Sequence, residues 1–92
     1  MSFRITIDEI DVATADAFRA QVDQATVGVQ ETGGVAVLDF TDVTFFGSTG
    51  VVILSKAQAG LPPGCRIRIV NAAPVVVRVL EVTGLTEFLD DP

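Results

Sequence analysis

The stretch from Val35 to Gly60 limits the choice of fold more than any other part of the chain. Val35-Ala36-Val37-Leu38 is apolar on both faces and short, the pattern of a central strand covered on two sides. It ends at Asp39 and gives way to a polar loop. Gly47-Ser48-Thr49-Gly50 then leads into Val51-Val52-Ile53-Leu54, the start of a helix that is apolar nearly all round and runs to about Gly60. The loop therefore delivers two hydroxyls, framed by glycines, to a helix start. There the first backbone N–H groups lack partners and the helix dipole is positive, so a phosphate is well held, whether bound or attached covalently.

The flanking segments extend the same alternation of strand and helix. Phe3, Ile5 and Ile7 alternate with Arg4 and Thr6, as in a half-buried strand. Asp11 or Thr14 caps a following helix, with Asp16 in its first turn. Phe18, Val22, Ala25 and Val29 form its apolar stripe, and Gly33-Gly34 ends it. After the turn Leu61-Pro62-Pro63-Gly64, Arg66-Ile67-Arg68-Ile69 reads as a half-exposed or edge strand with its arginines outward. Pro74–Val82 is β-branched, but Pro74 at a helix start and Gly84 just past the end favour a third helix. Leu85–Leu89 is a short final strand or loop.

The order β-α-β-α-β-α-β implies an α/β layer fold in one domain spanning residues 1–92, with helices packed on a mostly parallel or mixed central sheet. In such sheets functional groups gather beyond the carboxyl ends of the strands. Asp11, Asp39, Ser48 and Asn71 each follow an expected strand, which predicts that they cluster at one edge.

Composition removes several functions. The net charge is −6 with six basic residues spread along the chain, which disfavours nucleic acid and anionic membrane surfaces and suits a basic protein partner. Histidine is absent, so no Ser–His–Asp or Cys–His nucleophile system can form within the chain, and one cysteine without histidine excludes the usual zinc sites. Cys65 opens an expected strand and reads as a buried, inert thiol. No apolar run approaches the roughly 18 residues of a membrane span, and the N-terminus has no secretory pattern, so a cytoplasmic location without membrane insertion is expected.

Three stretches, in order and at matching spacing, resemble STAS domains, the anti-sigma factor antagonist family. Glu9-Ile10-Asp11 with Thr14-Ala15 resembles the family's acidic turn and helix start. Leu38-Asp39-Phe40-Thr41-Asp42-Val43-Thr44-Phe45 resembles the strand and loop before its phosphorylation site. Asn71-Ala72-Ala73-Pro74 with Arg78–Leu85 resembles its third helix and glycine stop. The family's Asp-Ser-Ser/Thr-Gly pattern falls on Gly47-Ser48-Thr49-Gly50. Ser48 thereby inherits the phosphoacceptor role and Thr49 is its neighbour, while Gly47 replaces the aspartate. Asp8 likewise stands where the family usually has glycine. Relative to the family, the chain lacks the usual first strand and last helix, which leaves a sheet edge for self-association or a partner.

The resemblance implies a non-enzymatic module without cofactor or metal. Its partner would be an anti-sigma factor serine kinase, whose phosphoryl transfer to Ser48 ends binding. Gly47, Thr49, Gly50, Asp11, Asp39 and Phe46 are the supporting or partner-binding candidates. Of Phe45 and Phe46, one is expected in the core and the other facing the partner. Without the resemblance, Ser48 reads as a plain helix N-cap, and Asp11 and Asp39 as turn and cap residues. Two further readings stay open. One is a STAS interaction subunit of a lipid-transport or stressosome-like complex without a phospho-switch. The other is a nucleotide-binding module, although Gly47–Gly50 lacks the lysine and spacing of a P-loop.

Overall fold

The computed structural model describes residues 2–89, with the side chains of residues 31 and 32 left undescribed. Five strands and three helices alternate along it: β1 (Ser2–Arg4), β2 (Glu9–Ile10), α1 (Ala15–Thr32), β3 (Gly34–Asp39), β4 (Phe45–Phe46), α2 (Ser48–Ala59), β5 (Cys65–Val70) and α3 (Pro74–Val82). A single 3-10 turn, Thr86–Phe88, follows, and Leu89 then forms one parallel bridge to Ile69. The layered α/β arrangement expected from the apolar periodicities is the one observed.

The main sheet has the order β1-β3-β5 and is wholly parallel, while β2 and β4 form a separate parallel pair. β3 is central, as its apolar character predicts. Its two-sided covering is corrected: Ala36 and Leu38 are buried, but Val35 is 39% exposed and Val37 half-exposed. β5 alternates as expected, with Cys65, Ile67 and Ile69 inward and Arg66 exposed. Cys65 is a buried thiol whose Sγ donates to the Val29 carbonyl at 3.3 Å.

Each helix ends for a local reason. Thr14 is the N-cap of α1, and Gly33 and Gly34, with φ of 78° and 108°, take the chain out of the helix through a region closed to most side chains. Pro74 occupies the first turn of α3, where its missing N–H costs nothing. α2 begins three residues earlier than its apolar run, at Ser48.

A buried aromatic triad fills the space between α1 and the two sheets. Phe18 of α1 meets Phe40 and Phe46 edge-on, with centroids 6.3 and 6.0 Å away, and Phe40 lies 5.7 Å from Phe46. The two edges of the main sheet differ. At β5, the Gln58 side chain accepts from the Ile67 N–H at 2.8 Å and donates to the Cys65 carbonyl at 3.1 Å, taking the place of a neighbouring strand. β1 is the opposite edge. Because Ile5 N–H donates inward to Asp39, strand alternation turns the backbone groups of Ser2 and Arg4 outward.

Candidate functional site

Ser48 is placed by a button of backbone hydrogen bonds between two distant segments. Glu9 and Ile10 pair with Phe45 and Phe46. Thr44 N–H donates to the Asp8 carbonyl at 2.7 Å, and Gly47 N–H donates to the Ile10 carbonyl at 2.9 Å. These contacts fix where the chain enters α2. Strands of two residues carry no readable periodicity, which is why β2 and β4 have no signal of their own in the chain.

Gly47, not Ser48, is the N-cap, with extended backbone (φ −87°, ψ 179°) and no side-chain cap hydrogen bond. Ser48 is therefore the first helical residue and is exposed, and its hydroxyl makes no hydrogen bond among the described residues. The plain N-cap alternative does not describe it. Gly50 and Val51 N–H both donate to the Gly47 carbonyl, at 3.0 and 3.3 Å, which leaves the amides of Ser48 and Thr49 to face an anion. The first turn holds no acidic residue to neutralise the dipole.

Glycine is required at position 50 by packing. A Cβ there would lie 2.6 Å from Phe46 Cε1 and 2.8 Å from Ile10 Cγ2. At Gly47, a Cβ would meet the Phe45 ring at 3.2 Å, so the ring occupies ground that a side chain at position 47 would need. Of the two phenylalanines, Phe46 is 2% exposed and Phe45 is 48% exposed. Phe46 can thus support the site only from the core, and Phe45 is the one of the pair that reaches the surface. Val52, one turn beyond Ser48 on α2, is 50% exposed, and Val12, in the turn after β2, is 81% exposed. Ser48 lies between Phe45 and Val52 in the chain, and Val12 follows the strand paired with Phe45 and Phe46, so these three exposed side chains form an apolar collar on the segments that meet at the start of α2.

The four residues expected at one edge form two groups. Asp11 belongs to the turn that starts α1: its Oδ1 accepts from Thr14 N–H at 3.2 Å, its own N–H donates to Thr14 Oγ1 at 3.0 Å, and Thr14 Oγ1 donates to the Glu9 carbonyl at 2.7 Å. That turn adjoins the strand pair leading to Ser48. Asp39 and Asn71 form the other group. Asp39 Oδ1 accepts from Thr41 N–H at 2.9 Å, from the Thr41 hydroxyl, and from Asn71 Nδ2 at 3.2 Å. Asn71 holds φ 59°, a conformation asparagine tolerates. Nearby, Arg4 grips Asp42 through two parallel contacts of 2.9 and 3.0 Å. These bonds brace the loop that carries the chain to β4.

The hydrogen bonds from Thr41 are the main cause of an Asp39 carboxyl that ionises below its ordinary range, with smaller help from Asn71 and Arg4. Asp42 is lowered by its bond with Arg4. A folded-state value below the unfolded one adds stability above the unfolded pKa that is lost as pH falls through the folded value. The contribution of Asp39 is therefore complete at neutral pH and disappears only below about pH 4. Asp39→Asn should accordingly lower the urea midpoint at pH 7 more than at pH 3, and equal losses at both would show that ionisation is irrelevant.

The family model described as "Mlab, STAS domain" matches residues 7–90. None of the curated proteins compared with the chain matches it. The match covers β2 through the bridge at Leu89, including the button, the Gly47-Ser48-Thr49-Gly50 helix start and the glycine stop after α3. The chain belongs to the STAS domain family.

Proposed function

We propose that the chain is an anti-sigma factor antagonist, a protein-binding module that presents the Ser48 end of α2 to an anti-sigma factor serine kinase and is switched off when Ser48 is phosphorylated. The observation that carries this reading is an exposed hydroxyl with no hydrogen-bond partner among the described residues, at the first residue of a helix, on segments that also expose the apolar side chains of Phe45, Val52 and Val12. STAS domains in general are non-catalytic interaction modules, and the absence of histidine agrees with a substrate and binder rather than an enzyme. A homo-oligomer along the open β1 edge is compatible with this role, as is a location in the cytoplasm.

In the unmodified state the collar and the neutral hydroxyl can be desolvated together against the partner. Phosphoryl transfer breaks the bond between the γ-phosphorus of ATP and its bridging oxygen and forms one to Ser48 Oγ, while the hydroxyl proton leaves to a base of the kinase. The product carries about −1.5 to −2 charges. The helix dipole and the amides of Ser48 and Thr49 tolerate that charge in the free domain. A partner surface complementary to a neutral collar does not, because it must strip water from a dianion or bury it unpaired.

A second reading is favoured by Gly47. Without the family's aspartate, and with the Phe45 ring against position 47, the same collar suits constant docking in a lipid-transport or stressosome-like complex. Capture from the source cytosol by wild type, Ser48→Ala and Ser48→Asp separates the two. The switch predicts that wild type and Ser48→Ala capture an ATP-binding anti-sigma kinase, and that Ser48→Asp weakens capture at least about tenfold, roughly 1.4 kcal/mol. Capture of transport or scaffold components, indifferent to the charge, establishes constant docking instead.

A further inference from the structure

The two edges of the main sheet are finished differently. At β5 the Gln58 side chain serves Cys65 and Ile67, and Leu89 bridges to Ile69. At β1 a second glutamine, Gln21 of α1, closes one position: it accepts from the Thr6 N–H at 3.0 Å and donates to the Thr6 hydroxyl at 2.7 Å. From there α1 crosses the sheet, and its Val29 carbonyl accepts from Cys65 Sγ at the start of β5. The helix thus moves away from β1 as it runs. The outward backbone groups of Ser2 and Arg4 have no hydrogen-bond partner among the described residues. Phe3, in register with Leu38 on the helix-covered face, packs against the core but is only half-buried, whereas Leu38 and Ile5 are fully buried.

We infer that β1 pairs with β1 of a second copy of the chain, antiparallel and centred on Phe3. In this register Ser2 lies opposite Arg4 of the second copy, and Arg4 opposite its Ser2. Both pairs consist of residues with outward backbone groups, so each pair exchanges its N–H···O bonds in both directions. Phe3 meets Phe3 in the closer, non-bonded pair between them, with Cα atoms about 4.5 Å apart. Each ring then covers the flank that α1 leaves open on the other, a cross-strand aromatic pair of the favourable kind. The match uses the open segment and no more, because a longer strand would meet Gln21 at Thr6. This selects a second copy over an unrelated strand: the segment is its own complement. On the other face of the sheet Arg4 is held by Asp42 of its own chain, at 2.9 and 3.0 Å, so no bare like charges are brought together at the contact. The twofold axis stands perpendicular to the sheet, and the two Ser48 ends, beyond the carboxyl ends of the strands, point in opposite directions. Both remain free, so the contact goes beyond the switch and does not rest on it. Three residues from each copy bury less than the roughly 1,200 Å² of a stable complex, which makes the association weak and reversible. Each copy carries a net charge of −6, so salt should strengthen it by screening the repulsion.

The test is a dilution series of the isotope-labelled chain from about 1 mM downward, followed through its amide resonances and by sedimentation. Expected are concentration-dependent shifts at Ser2, Phe3 and Arg4, with slower hydrogen exchange at the Arg4 amide as concentration rises and no change at the Thr6 amide. A mixture of labelled and unlabelled chain should give a cross-peak between Phe3 of one copy and Phe3 of the other, which fixes the register. Ser2→Pro removes an outward N–H from an exposed position and should weaken association at least tenfold, with resonances beyond β1 unchanged. The wild-type series needs no variant, so the assignment stands or falls even if Ser2→Pro does not fold. A chain that stays monomeric at about 1 mM would leave this edge to a strand from another protein and overturn the assignment. Shifts confined to the Ser48 end or to β5, or association of a folded Ser2→Pro as tight as wild type, would do the same. Ser48→Asp should leave the dilution series unchanged, which keeps this contact separate from the switch.

Discussion

Phe46→Ala should lower the unfolding free energy by about 3–5 kcal/mol, the usual cost of emptying a buried aromatic site. Domains of this kind hold only about 5–15 kcal/mol in total, and a short chain sits toward the lower end. Phe46 is 2% exposed and is shared by three parts of the fold: it faces Phe18 of α1, faces Phe40 beyond β3, and lies against the backbone of Gly50 in α2. Alanine would leave a void that three rigid neighbours cannot close without moving α2. Urea denaturation followed by far-ultraviolet dichroism measures the loss. The comparison is Phe45→Ala, which removes the same side chain from a 48% exposed site and should cost less than about 1 kcal/mol. Similar losses at both positions would contradict the division into one core and one surface phenylalanine.

That division marks the limit of what could be read before the structure. Adjacent residues in extended chain point to opposite sides, so on a tight loop one of Phe45 and Phe46 is expected in the core and the other at the surface, but nothing local says which. The answer depends on which side of β4 faces Phe18, and this follows from β2, a pair of residues contributed from far up the chain. The longer elements were legible because their periodicities and stops are local: the stripe of α1 with its Gly33-Gly34 exit, the alternation of β5, and α3 between Pro74 and Val82. β3 was legible as central but not as open on one side. Its valines look the same whether a helix or solvent covers them, and the difference comes from both crossovers falling on one face. The helix start at Ser48 was legible as chemistry. Its cap was not, because glycine in the N-cap position accepts the Gly50 and Val51 amides through its carbonyl and leaves no side-chain signature.

Gly50→Ala tests whether the Ser48 hydroxyl is held by packing or merely exposed at a helix end. In an isolated helix the change would be favourable by about 1 kcal/mol, since alanine is the better helix former. Here the added methyl would sit 2.6 Å from Phe46 Cε1 and 2.8 Å from Ile10 Cγ2, distances that force something to move. Both neighbours are buried, Phe46 within the aromatic triad and Ile10 within the strand pair, so neither can swing into solvent. Overpacking of this kind costs about 1–3 kcal/mol and outweighs the propensity gain. For a chain of this size the net loss should appear as a drop in Tm of up to about 15 °C. The easiest relief is for the first turn of α2 to lift away from β2 and β4, stretching the 2.9 Å bond from Gly47 N–H to the Ile10 carbonyl. Amide hydrogen exchange at Gly47 should therefore accelerate more than exchange in the middle of α1. Loss of partner capture by Gly50→Ala, at a temperature where the variant remains folded, would follow from the displaced hydroxyl and collar. A variant as stable as wild type, with unchanged exchange at Gly47, would mean that the helix start is loose and that Ser48 is not positioned by the core beneath it.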